Sequence, residues 1–113
     1  MPYFIDVILP IPISNLFTYR ITESESKFLT PGMRVSVPFG KSKIYTALVY
    51  VIHNTKPVKY EAKDIHQILD DEPIVTNQQF KLWEWISKYY MCSLGEVFRA
   101  ALPSSFLLVN VVL

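Results

Sequence analysis

Two short stretches of the 113-residue sequence place recognising groups at useful spacing. In Phe17-Thr18-Tyr19 two aromatic rings stand at i and i+2, on one face of a strand, with a hydroxyl between them. In Phe39-Gly40-Lys41 an aromatic ring is followed by a glycine, which lets another chain approach the backbone closely, and then by a cation. Aromatic faces stack on nucleobases irrespective of base identity, at about 1–3 kcal/mol per base, and lysines neutralise phosphates. The competing expectation is that Phe17, Tyr19 and Phe39 are simply core, because aromatic residues in strands mostly pack inward.

Other constellations fail on spacing. Gly40-Lys41-Ser42 matches the tail of a phosphate-binding loop, but that pattern needs a glycine where Val35 stands, and the three residues lead into no helix. His53 and His66 have no second cysteine or clustered carboxylates to complete a metal site. Asp70, Asp71 and Glu72 are adjacent on a turn, where neighbouring side chains point apart. Ser14, His53 and Asp6 have the residue types of a hydrolytic triad, yet no nucleophile elbow surrounds Ser14. The lone Cys92 excludes an internal disulfide and an all-cysteine zinc site, and reads as a core-edge hydrophobe. The expectation is a binding domain with no catalytic group, no metal and no cofactor.

The elements that must position these groups follow from periodicity. Tyr3 to Leu9 alternates as a strand, and Pro10 and Pro12 end it, leaving PIPIS as an extended connector. Phe17 to Ile21 is a second strand, and the polar run Thr22 to Thr30 reads as a loop closed by the turn pair Pro31-Gly32. Arg34 to Phe39 and Lys43 to His53 are strands joined by Gly40 to Ser42, which pair most simply as an antiparallel hairpin. Apolar residues on both faces of the second of these imply a central strand. A further strand is expected over Ala62 to Leu69.

Beyond it the period changes to that of a helix. Thr76 and Gln79 form a capping-box pattern ahead of Phe80, Trp83, Ile86 and Tyr90, and Ser93 with Glu96 repeats it before Pro103. The reading is a single α+β domain over residues 1–113. Its β part, about 3–69, is a small, strongly curved antiparallel sheet or partial barrel, and its helical part, about 76–103, is a C-terminal helical hairpin. The apolar ending FLLVNVVL reads as a chain excised from a longer protein.

Charge is close to balanced, at +1, but unevenly distributed. Residues 34–63 carry Arg34, Lys41, Lys43, Lys56, Lys59 and Lys63 against Glu61 alone, a local excess of +5 that suits an anionic partner. Half of the residues are hydrophobic, enough for a packed core, and no apolar run reaches the roughly 20 residues that span a bilayer. The expected compartment is the reducing cytoplasm, away from any membrane.

Four motifs in order, VILPIPISNLFTYRI, PGMRVSVPFGKSK, ILDDEPIVT and WEWISKYYMCSLGEVFRAALP, extend this reading. Together they span about Phe4 to Pro103, and they resemble the 3′ DNA-binding domain of the PriA family of bacterial replication-restart helicases. The resemblance implies that this domain recognises the 3′ end of the nascent leading strand at a stalled fork, base-independently, and so orients the helicase. It implies as partners DNA with a free 3′ end, forked DNA, the rest of the helicase chain and other primosome proteins. It places ATP hydrolysis and zinc binding in regions absent from this fragment. The family's pocket carries over to Phe17, Thr18, Tyr19, Gly40 and, by a looser alignment, Lys63, with Lys41 and Lys43 as candidate phosphate contacts. Position 18 departs from the pattern, since an acidic residue stands there in the better-known members. A protein–protein docking module of the same assembly is the alternative, for which the strip Trp83, Trp85, Tyr89 and Tyr90 is suited.

Overall fold

The computed structural model describes residues 3–58 and 60–103. Strands β1 (Tyr3–Ile8), β2 (Phe17–Ile21), β3 (Arg34–Phe39), β4 (Lys43–His53) and β5 (Gln67–Ile68) form one antiparallel sheet in the order β2-β1-β4-β3-β5. Helix α1 (Glu23–Phe28) follows β2, and α2 (Asn77–Tyr90) and α3 (Leu94–Ala101) follow the sheet. The α+β class read from the sequence is therefore the class observed.

The centre of the sheet follows the alternation. Ala47 and Val49 of β4 face a core made with Ile5, Val7, Val35 and Val37, while Leu48 faces the opposite way into a core with Ile8, Phe80, Trp83 and Phe98. A strand apolar on both faces has to be covered on both, and β4 duly sits third of five. β3 and β4 pair from Arg34↔Leu48 to Phe39↔Lys43, so residues 40–42 are the tip of an antiparallel hairpin, as the spacing predicts.

Three expectations need correction. The sheet is neither strongly curled nor closed into a partial barrel: β2 and β5 are its edges. Among the described residues, one isolated parallel bridge, Arg20 to Asp64, joins the β2 edge to the segment ahead of β5. That segment divides its main-chain hydrogen bonds between two strands. The Lys63 carbonyl accepts from the Arg20 N–H at 2.8 Å and the His66 N–H donates to the Ser36 carbonyl at 2.7 Å. It thus runs a continuous ladder with neither, and the strand expected over Ala62 to Leu69 shrinks to the two residues of β5.

The loop expected over Thr22 to Thr30 contains α1. The Thr22 hydroxyl accepts from the Glu25 N–H and the Glu25 carboxylate accepts from the Thr22 N–H, a capping box that the polarity of the run obscured. The helical hairpin resolves into two consecutive helices, each opened by the capping box expected from Thr76 with Gln79 and from Ser93 with Glu96. Met91 in the left-handed region stops α2, and stacked Trp83 and Phe98 rings join the two helices in one core. The apolar ending from Phe106 onward lies outside the described residues.

Candidate functional site

The five residues expected at the site lie along one open cavity. Phe17, Thr18 and Tyr19 of β2, Gly40 at the hairpin tip and Lys63 ahead of β5 line a space of about 230 Å³, together with Pro38, Phe39, Tyr60 and Glu61. Three separated parts of the chain meet here because β2 is an edge strand. Its Arg20 holds the 62–65 segment by the main-chain bond to Lys63 and by an Nε to Asp64 ion pair at 2.7 Å. Lys63 is delivered to the cavity by its own main-chain carbonyl and by its neighbour Asp64.

The aromatic residues divide between wall and open face. Tyr19 is only 4% exposed; its hydroxyl donates to the Pro38 carbonyl at 2.7 Å, tying β2 to the end of β3. Burial, with a smaller contribution from Tyr60, pushes its pKa up to about 12, so the phenol stays protonated and donating. The inward-packing expectation therefore holds for Tyr19. Phe17 and Phe39 are half-buried and meet edge-to-face, with centroids 5.1 Å apart, and Phe39 meets Tyr45 in the same way at 5.6 Å. Tyr60 is 45% exposed and its hydroxyl accepts from the Thr18 N–H at 2.8 Å, covering the free edge of β2.

Tyr60 was missed in the sequence because it sits in a polar run with no period, and Phe39 was expected as an aromatic ring beside Gly40 but not among the pocket residues. Pro38 and Glu61 carried no signal. Lys41 and Lys43, expected near the phosphate, do not line this cavity. They border an adjoining surface with Ser42 and Tyr45 that shares Phe39 and Gly40 with it. Gly40 has φ +74°, and a Cβ there would meet nothing within 4 Å, so the backbone at this position is open to an approaching ligand.

The basic excess of residues 34–63 is partly cancelled in space. The Arg34 guanidinium grips Asp70 at 2.7 and 2.9 Å, and the Arg34 N–H bonds the same carboxylate at 2.8 Å. Burial pushes the Asp70 carboxyl up, but the hydrogen bonds and charge of Arg34 outweigh it and leave the carboxyl below its ordinary value. Asp70 is thus an ion-pair partner, a role that its place in the DDEP turn did not announce. Lys56 lies 4.0 Å from Glu61. At the cavity itself the cation is Lys63 and the anion Glu61.

The nominal triad is half present. His53 Nε2 lies 2.8 Å from Asp6 Oδ1, but the hydroxyl beside them belongs to Thr18 and bonds Asp6, not the histidine. A proton relay from hydroxyl to imidazole is therefore not assembled. Cys92 is half-buried at the margin of the helical core, as expected. Among the described residues, no group of three His, Cys, Asp or Glu side chains is placed to hold a metal ion, and no helix is long and apolar enough to cross a membrane.

Fold and cavity together define a small α+β binding module whose pocket offers ring faces, an open glycine backbone and a single cation. Residues 6–103 match the family described as the 3′DNA-binding domain (3′BD) of PriA, and the chain belongs to that family. It is 33% identical over 103 residues to the "Replication restart protein PriA" of Buchnera aphidicola, covering 88% of this chain and 13% of that protein. The protein of the same name from Haemophilus influenzae is 34% identical over 97 residues, 86% of this chain and 13% of its own length. That of Treponema pallidum is 24% identical over 108 residues, 92% of this chain and 16% of its own length. The chain thus spans about an eighth to a sixth of the relatives it matches.

Proposed function

We propose that the cavity captures the terminal nucleotide at a free 3′ end of DNA, irrespective of its base. Within a longer replication-restart helicase, this orients the motor on the nascent leading strand at a stalled fork. The observation that carries the reading is the convergence of Phe17, Thr18, Tyr19, Gly40 and Lys63 on one cavity from three separated segments. Phe17, Phe39 and Tyr60 offer ring surface to a base, the open backbone at Gly40 accommodates the sugar, and Lys63 meets the phosphate. Lys41 and Lys43 extend the cationic surface toward the next phosphate.

Stacking and sugar contacts read no base edge, so discrimination among the four bases is small. The capture needs no cofactor, and ATP and zinc act in other regions of the longer chain. The module contributes binding and no ATP hydrolysis, acts as one unit over residues 1–113, and works in the bacterial cytoplasm.

Fluorescence anisotropy on single strands with 3′-hydroxyl and blocked 3′ ends tests this. The free end binds more tightly, and Phe17→Ala and Lys63→Ala each weaken it severalfold. Equal affinity for both ends, unchanged in either variant, overturns the assignment.

A second reading rests on α2. Trp83 is buried, but Trp85 and Tyr89 are more than half exposed and stack with centroids 5.0 Å apart, a ring surface suited to another protein of the restart assembly or to the helicase body. Salt separates the two. Binding to a single strand falls with a log–log slope of about −0.7 per phosphate neutralised, whereas an apolar contact hardly responds.

A further inference from the structure

The cavity beside β2 adjoins a second space at the tip of the β3–β4 hairpin. That space, about 400 Å³, is bordered by Lys41, Ser42, Lys43 and Tyr45, and it shares Phe39 and Gly40 with the first. A Cβ at Gly40 would meet nothing within 4 Å, so the backbone where the two spaces meet is bare.

Ring surface runs from one space to the other. Phe17, Phe39 and Tyr45 pack against the same core, with successive centroids 5.1 and 5.6 Å apart. Phe39 is the wall common to both spaces, and the Tyr45 ring lies at 60° to it. A base lying flat on Tyr45 is therefore tilted away from one lying flat on Phe39, so two neighbouring bases held here stack on the protein and not on each other. In register, Lys43 stands directly opposite Phe39, with Tyr45 two residues further along the same face of β4.

Charge distinguishes the two spaces. The first carries Lys63 together with Glu61, the second Lys41 and Lys43 with no acid. Arg20, Arg34 and Lys56 are each held by a carboxylate, at Asp64, Asp70 and Glu61, whereas among the described residues no ion pair engages Lys41 or Lys43. Rings beside cations on an open surface hold a single strand without reading its sequence.

We propose that this face of the hairpin tip is a second nucleotide subsite, in which Tyr45 stacks on the penultimate base of a DNA single strand and Lys41 and Lys43 meet its phosphate. The inference rests on the end-capture reading above. The strand passes over Gly40 from the second space into the first, and the domain grips two unpaired nucleotides.

The test measures anisotropy on one 3′-hydroxyl oligonucleotide carrying a single abasic residue at its terminal position, at its penultimate position or well inside the strand. The proteins are the wild type, Tyr45→Leu and the double variant Lys41→Gln with Lys43→Gln. In the wild type the penultimate abasic residue weakens binding about fivefold or more, the value of one stacked base, and the internal one changes nothing. Tyr45→Leu keeps an apolar side chain against the core but loses the ring face. It binds the intact strand more weakly by a similar factor and is indifferent, within about twofold, to the penultimate abasic residue, while the terminal one costs it what it costs the wild type. The lysine variant lowers the slope of log affinity against log salt by about 0.7 or more.

Wild-type affinity unchanged by loss of the penultimate base overturns the proposal and leaves end capture standing, and this arm needs no variant to fold. A penultimate effect that persists in full in Tyr45→Leu puts the second base on another surface and overturns it likewise. An unchanged salt slope in the lysine variant overturns the phosphate contact and the subsite with it. Wild-type indifference to the terminal abasic residue removes the end-capture reading and, with it, the proposal.

Discussion

The Tyr19 hydroxyl donates to the Pro38 carbonyl at 2.7 Å, joining an edge strand to the last turn of the β3–β4 hairpin across the mouth of the candidate site. This bond fixes the width of the cavity, because Phe17 stands two residues from Tyr19, Phe39 stands next to Pro38, and the two rings meet edge-to-face.

Tyr19→Phe is expected to lower stability by about 1 kcal/mol, the net value of a neutral hydrogen bond, and to weaken DNA binding a few fold by letting the mouth splay. The same residue sets an alkaline limit. Its folded pKa of about 12 lies above the unfolded value near 10, so its contribution is fully present below pH of about 10 and is lost as pH rises toward 12. Tyr50, raised to about 12 by burial and by its hydrogen bond with Glu84, adds to that loss. Denaturant melts through this range in wild type and Tyr19→Phe measure it, and the variant shows the shallower decline.

Gly40→Ala separates folding from ligand approach. Positive φ makes alanine cost about 1 kcal/mol of stability, but the added Cβ meets nothing within 4 Å in the free protein. A loss of DNA affinity of tenfold or more in the folded variant therefore reports a ligand packed on that backbone. Calorimetry for stability and anisotropy for binding give the two numbers.

Gly95→Ala contrasts with it. Gly95 lies in α3 with helical backbone, where alanine is ordinarily favoured, yet a Cβ there would fall 2.2 Å from the Leu9 carbonyl and 2.3 Å from that of Ile11. The proline-bounded connector from β1 to β2 passes directly over this glycine. Overpacking costs about 1–3 kcal/mol, and displacement of the connector is expected to shift β2 and weaken binding in proportion. A lowered Tm with a disturbed Phe17 environment by NMR is the signature.

Asp70→Asn tests the ion pair with Arg34. The folded carboxyl lies below its unfolded value near 3.9, so the pair stabilises fully above that pH and its contribution is lost as pH falls through the lower folded value. The variant is expected to lose about 1.5–3 kcal/mol at neutral pH and to show a smaller decline on acidification. DNA affinity per folded molecule stays unchanged, because Arg34 and Asp70 lie outside the cavity.

Much of this was legible in the residues themselves. Alternation in β1, β3 and β4, the apolar doubling of β4, and the capping boxes of α2 and α3 are local patterns written by side-chain periodicity and by hydroxyls that satisfy helix-end N–H groups. The motifs offered Phe17 with Tyr19 and Phe39 with Gly40 as binding groups, and family resemblance joined Phe17, Gly40 and Lys63 in one pocket. The box of Thr22 with Glu25 was equally local and was hidden only by the acidity of the run.

What the tertiary structure alone decided depends on partners far apart in the chain. Tyr19 has the sequence signature of a stacking ring, and the Pro38 carbonyl makes it a wall. Tyr60 has no signature, and the free edge of β2 makes it a lining residue. Asp6 and Thr18 are 12 positions apart, and only the register of β1 on β2 lets one carboxylate claim the hydroxyl's proton. Sequence determines which chemical groups are available. Strand register, a nonlocal property set by the whole core, determines which of them a ligand meets.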